Sequence, residues 1–76
     1  MNRERRGRLK RAFDLTDEAH RITEAVLREE QTALENTPEG LRDSDRYMES
    51  ESIADDIESA LDELASARDS LSELVQ

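Results

Sequence analysis

The stretch Glu29–Ser50, EEQTALENTPEGLRDSDRYMES, decides the fold. It holds the only proline of the chain, Pro38, and one of its two glycines, Gly40. The sequence on either side reads as helix. Asn36 is a helix terminator that tolerates the left-handed conformation. Thr37 followed by Pro38 reads as an N-cap with proline at the first helical position, and Glu39 suits the positive end of a helix dipole. A short helical turn is therefore expected from Pro38 to about Arg42, closed by Leu41 folding back on the neighbouring helices. Asp43, Ser44 and Asp45 then offer a second N-cap.

Beyond this corner, Ala54, Ile57, Leu61, Leu64, Arg68, Leu71 and Val75 follow a 3-4 spacing, a heptad seam interrupted only by Arg68. Ile53, Ala60, Ala67 and Leu74 run beside it and widen the stripe. Asp55, Asp56, Glu58, Asp62, Glu63, Asp69 and Glu73 fall elsewhere, as a solvated acidic face does. One helix is expected from about 44 to 75. Before the corner, Ala12, Leu15, Ala19, Ile22, Val26 and Ala33 repeat the spacing, with Glu29 at one seam position. Phe13, His20, Leu27 and Leu34 lie on a neighbouring row. This predicts a helix from about 5 to 35, with the corner at 36–43. The expected fold is all-α: a single domain over 1–76, an antiparallel helical hairpin with a short helical turn at its corner.

A chain of 76 residues buries a limited share of its surface and needs a staple. It has no cysteine and one histidine, which excludes disulfides, thiolate metal sites and a histidine-rich site within one chain. Oligomerisation remains. On the reading that Ala12–Ala33 forms the seam, Leu27, Leu34, Ile53, Ala60 and Leu74 are the expected oligomer interface, because a monomer would leave Leu27, Leu34, Ile53 and Leu74 partly wet. Two hairpins paired into a four-helix bundle would cover them. In an antiparallel hairpin Arg68 falls near residue 12, so it is expected to reach Asp14, Asp17 or water rather than Glu29.

Charge is segregated. Met1–Arg11 carries six basic side chains against Glu4, a net of +5, whereas residues 12–76 carry five basic and nineteen acidic ones, a net of −14. The basic tip, including Arg5, Arg6 and Arg8, is expected to lie beside the acidic end of the second helix and neutralise Asp69 and Glu73. A nucleic acid or an acidic protein partner is the rival reading. Stacking aromatics are missing from the tip and the acidic body repels phosphate, so nucleic acid is not the expected direct ligand. No stretch reaches the length of an apolar membrane span, and the N-terminal arginines are not followed by the apolar segment of a signal peptide. A cytoplasmic protein without membrane contact is expected.

Catalytic motifs fail on context. Asp17-Glu18-Ala19-His20 spells a helicase string, which requires a phosphate-binding loop and a preceding strand that are missing. Asp17 and His20 are spaced like half of a bundle di-metal site, which needs several further inward carboxylates. The paired Glu-x-x-Glu and Glu-x-x-Asp steps of all-α nucleotide pyrophosphohydrolases do not occur. Neither an enzyme nor a cofactor is expected.

The central stretch resembles small, acidic, α-helical proteins of phages and prophages. The likeness rests on Glu29, Glu30, Gln31, Asn36, Pro38, Glu39, Leu41, Ser44 and Arg46, followed by an acidic helix containing Glu49, Ile57, Glu58, Ala60 and Leu61. That group often has an aromatic where this chain has Leu34. The resemblance covers about half of the chain and implies a mobile-element origin, a host-cell cytoplasmic setting and a host or phage protein as partner. Three functions are then in play. The first is a non-enzymatic oligomeric interaction module, which would inhibit a host or defence protein. The second is an acidic nucleic-acid mimic of anti-CRISPR-like type, with Asp55, Asp56, Glu58, Asp62 and Glu63 standing in for phosphates. The third is a nucleotide-binding sponge.

Overall fold

The computed structural model describes all residues from Met1 to Gln76. It contains helix α1 (Arg3–Glu35), a one-turn 3₁₀ helix (Glu39–Leu41) and helix α2 (Asp45–Val75), and no strand. α1 and α2 pack along each other as an antiparallel hairpin measuring 59 × 14 × 14 Å.

The helix boundaries follow from capping. Asn2 caps α1, its Oδ1 accepting from the Arg5 amide at 2.8 Å. That cap starts the helix at Arg3, against the expected start at about 5. Ser44 caps α2, its Oγ accepting from the Tyr47 amide at 3.2 Å, as one of the three expected capping residues.

The corner departs from expectation in three ways. Asn36 is right-handed (φ −83°, ψ −3°), and no residue in the chain has a positive φ. The carbonyl end of α1 is capped instead by Arg42, whose Nε donates to the Thr37 carbonyl at 3.1 Å and Nη2 to the Glu35 carbonyl at 3.3 Å. With orphan carbonyls satisfied by a guanidinium, no left-handed cap is required. Thr37 is not an N-cap, because its hydroxyl donates back to the Ala33 carbonyl at 3.0 Å. Pro38 takes the capping position itself with an extended ψ of 142°. Leu41 does not close the corner: it is 58% exposed.

The second-helix seam is as expected. Ala54 is buried, and Ile57, Leu61, Leu64, Arg68, Leu71 and Val75 are half-buried. The seam of α1 is the other row. Leu27 is buried to 8% exposure, and Leu9, Phe13, Thr16, His20, Thr23, Glu30 and Leu34 are half-buried, whereas of the expected row Leu15, Ile22, Val26 and Ala33 are exposed and only Ala12 and Ala19 are half-buried. The spacing of this seam is also 3-4, one position out of step with the expected row. The structure selects the row with the bulkier side chains, Phe13 with three leucines against one leucine, one isoleucine and one valine, because apolar area removed from water sets the preference.

Arg68 reaches Asp17, Nη1 to Oδ1 at 3.6 Å, which marks the stagger of the two helices. Seven residues on from Arg68 is Val75, and seven back from Asp17 is Lys10. The first two turns of α1 therefore extend past the last residue of α2, and residues 1–8 are all exposed.

Candidate functional site

Only Leu27 and Ala54 of the 76 residues are buried. A hairpin this thin places its functional chemistry on its surfaces. Those surfaces are set by how far each residue row is rotated from the seam.

At about 100° per residue, the row Leu15–Ile22–Val26 is centred about a quarter-turn from the seam of α1. The row Ile53–Ala60–Ala67–Leu74 is offset from the seam of α2 by a similar angle in the same rotational sense. Equal-sense offsets on antiparallel helices point to the same side. One broad face of the hairpin therefore carries Leu15, Ile22, Val26, Ile53 and Leu74, all exposed, with Ile22 at 59%; Glu29 on α1 and Asp56 and Glu63 on α2 interrupt this apolar face. The opposite broad face is ionic. Arg21 bridges Asp17 at 2.9 Å and Arg28 bridges Glu24 at 3.0 Å, both one turn apart on α1.

The expected oligomer residues divide accordingly. Ile53, Ala60 and Leu74 are exposed on the apolar face. Leu27 does not stay wet in the single chain; it is the centre of the α1–α2 seam, and Leu34 is half-buried beside the corner. Their places are taken by Leu15, Ile22 and Val26, which the sequence reading assigned to the inside. Phe13 in the other row pointed to the swap, but Glu30 sits in that row as Glu29 does in theirs, so polar interruptions did not mark it.

On α2, Asp55, Asp56, Glu58, Asp62 and Glu63 are exposed and make no ion pair. The basic tip does not neutralise Asp69 and Glu73. Asp69 pairs within its own helix with Arg68 at 3.7 Å, and no tip residue bridges to α2. Arg8 meets only Glu4, at 4.0 Å, Lys10 meets Asp14 at 3.1 Å and lies 5.0 Å from the Phe13 ring, and Arg3, Arg5, Arg6 and Arg11 have no carboxylate partner. The stagger is the cause: the arginines from 3 to 8 lie beyond the reach of α2.

A shallow cleft of about 190 Å³ opens at the corner, lined by Leu34, Leu41 and Tyr47 with Glu30 and Arg46. No helix of the chain is long and apolar enough to cross a membrane. No protein-family model, curated protein or solved structure matches the chain.

Proposed function

We propose that this chain is a non-enzymatic interaction module whose hairpins pair through their apolar broad faces into a four-helix bundle. The observation that carries the reading is the exposure of Leu15, Ile22, Val26, Ile53 and Leu74 on one side of a hairpin that buries two residues. Fully burying such side chains contributes roughly 1.5–3 kcal/mol each, which is large beside the roughly 5–15 kcal/mol of a typical domain. The paired module would present its remaining surface to a host or phage protein; the sequence resemblance to phage proteins supports that choice of partner. Sedimentation equilibrium of the unaltered chain tests the pairing. A mass of two or more chains at micromolar concentration is expected, and a folded monomer would overturn it.

A second reading, an acidic mimic of nucleic acid, is favoured by one observation. From Asp43 to Gln76 the chain carries eleven acids against two arginines, and Asp55, Asp56, Glu58, Asp62 and Glu63 are exposed without a paired cation. Such a mimic binds its target competitively with DNA or RNA, and its affinity falls steeply with added salt. Binding to a nucleic-acid-binding protein that is indifferent to both would exclude this reading.

A further inference from the structure

We infer that the occupant of the apolar face is a second copy of this chain lying antiparallel, so that the basic tip of each hairpin rests on the acidic corner of the other. The inference rests on the self-association proposed above and adds its orientation and its contacts.

Size comes first. A face of 59 × 14 Å is on the order of 800 Å², the area each partner gives to a standard interface. Face-to-face pairing about a twofold axis then has two forms. An axis along the helices sets corner beside corner and tip beside tip. An axis across them sets each tip beside the other's corner and α1 against α1.

Charge decides between the two. The corner, residues 29–51, holds eight carboxylates and two arginines, a net of −6. The open end, residues 1–11 with 62–76, has a net of +2, and the middle has a net of −5. The middle is acidic on both helices, −2 over residues 12–28 and −3 over residues 52–61, so both forms set like charge against like charge there. Corner beside corner sets −6 against −6; tip beside corner sets +2 against −6 at both ends. Like charges juxtaposed at an interface select against that arrangement. Arg3, Arg5, Arg6 and Arg11 have no partner within their own chain, so their pairing capacity is free.

The row on α1 fits the same form. Its heptad alternates small and large positions: Ala12, Ala19, Val26 and Ala33 against Leu15 and Ile22, with Arg8 and Glu29 at the two ends of the large series. Antiparallel seams pair small positions of one helix with large positions of the other. Leu15 then meets the partner's Val26, and Ala19 meets the partner's Ile22. That register carries Arg6, Arg8 and Arg11 to the turns that hold the partner's Glu29, Glu30 and Glu35. With the axis along the helices, α1 faces the partner's α2 and this pairing of α1 rows is lost.

A single spin label reads the orientation. The chain has no cysteine, and a side chain at Gly7 meets nothing within 4 Å, so Gly7→Cys gives one clean site. In the antiparallel form residue 7 lies opposite the partner's Leu34, and two labels stand about 40 Å apart at 1.5 Å per residue. In the parallel form they stand within about 20 Å, a bundle diagonal. A distance near 40 Å is the expected result. A short distance overturns the antiparallel arrangement and leaves self-association standing. No dipolar coupling, with a folded monomeric mass, overturns both and leaves the face open for a foreign protein. A charge exchange gives a second test. Replacing Arg6, Arg8 and Arg11 with glutamate, or Glu29, Glu30 and Glu35 with arginine, should weaken self-association by on the order of tenfold. Mixing the two variants should restore it in a heterodimer. Failure of the mixture to pair counts against tip-on-corner contact.

Discussion

Arg68 Nη1 stands 3.6 Å from Asp17 Oδ1, and this ion pair is the only side-chain polar link between the two long helices. Both side chains are about a quarter exposed, 28% and 23%. Arg68 occupies a seam position that the heptad would fill with an apolar residue. Its contribution is therefore to register more than to stability.

The pair should show a coupling of about 0.2–1 kcal/mol in a double-mutant cycle of Asp17→Ala and Arg68→Ala, read by urea unfolding. Arg68→Leu should hold or raise the melting temperature, because a leucine there completes the row from Leu64 to Leu71. A large loss of stability in Arg68→Leu would show that the ion pair itself holds the helices together.

Leu27 and Ile22 separate the two apolar faces of α1. Leu27→Ala should destabilise the hairpin by about 2–5 kcal/mol and lower the melting temperature at every protein concentration. Ile22→Ala should instead flatten the rise of melting temperature with concentration that accompanies self-association. Circular dichroism melts over a hundredfold dilution series distinguish them. Equal losses at all concentrations for Ile22→Ala would return that residue to the interior of the hairpin.

The corner depends on two side chains. Ser44→Ala removes the N-cap of α2 and should lower stability by about 1 kcal/mol, with Ser44→Asp largely neutral. Arg42→Ala leaves the Thr37 and Glu35 carbonyls without their guanidinium, at about 0.5–1.5 kcal/mol per hydrogen bond. Lysine should rescue Arg42→Ala poorly, since one ammonium cannot reproduce the two-pronged geometry. Amide exchange near residues 33–37 should quicken in the Arg42 variant; unchanged protection there would remove Arg42 from the cap.

Gly7 lies inside the first two turns of α1, on the segment that α2 does not cover. Its φ is not positive and an added Cβ has open space around it. Gly7→Ala should therefore increase helix content at the tip, by about 0.5–1 kcal/mol of local propensity. Backbone chemical shifts of residues 3–10 report it. No change would mean the tip is already fully helical in solution.

The sequence by itself determined two helices, their antiparallel course and the whole seam of α2. It could do so because α2 carries its large apolar residues in one 3-4 row and its acids outside that row, so only one face can turn inward. It also placed Arg68 within reach of Asp17, since the position of the turn sets the stagger. On α1 it could not decide. Two apolar rows lie about a quarter-turn apart; Glu29 alone interrupts one, Thr16, His20, Thr23 and Glu30 interrupt the other, and the second holds the bulkier apolar side chains, so periodicity and bulk point to different rows. Only the packed structure chose Phe13, Leu27 and Leu34 for the seam and left Leu15, Ile22 and Val26 in water, because the choice turns on the apolar area that a specific partner helix can cover. The capping role of Arg42 was hidden for the same kind of reason: its donors reach carbonyls five and seven residues back, and nothing local in the sequence brings them together until the 3₁₀ turn folds.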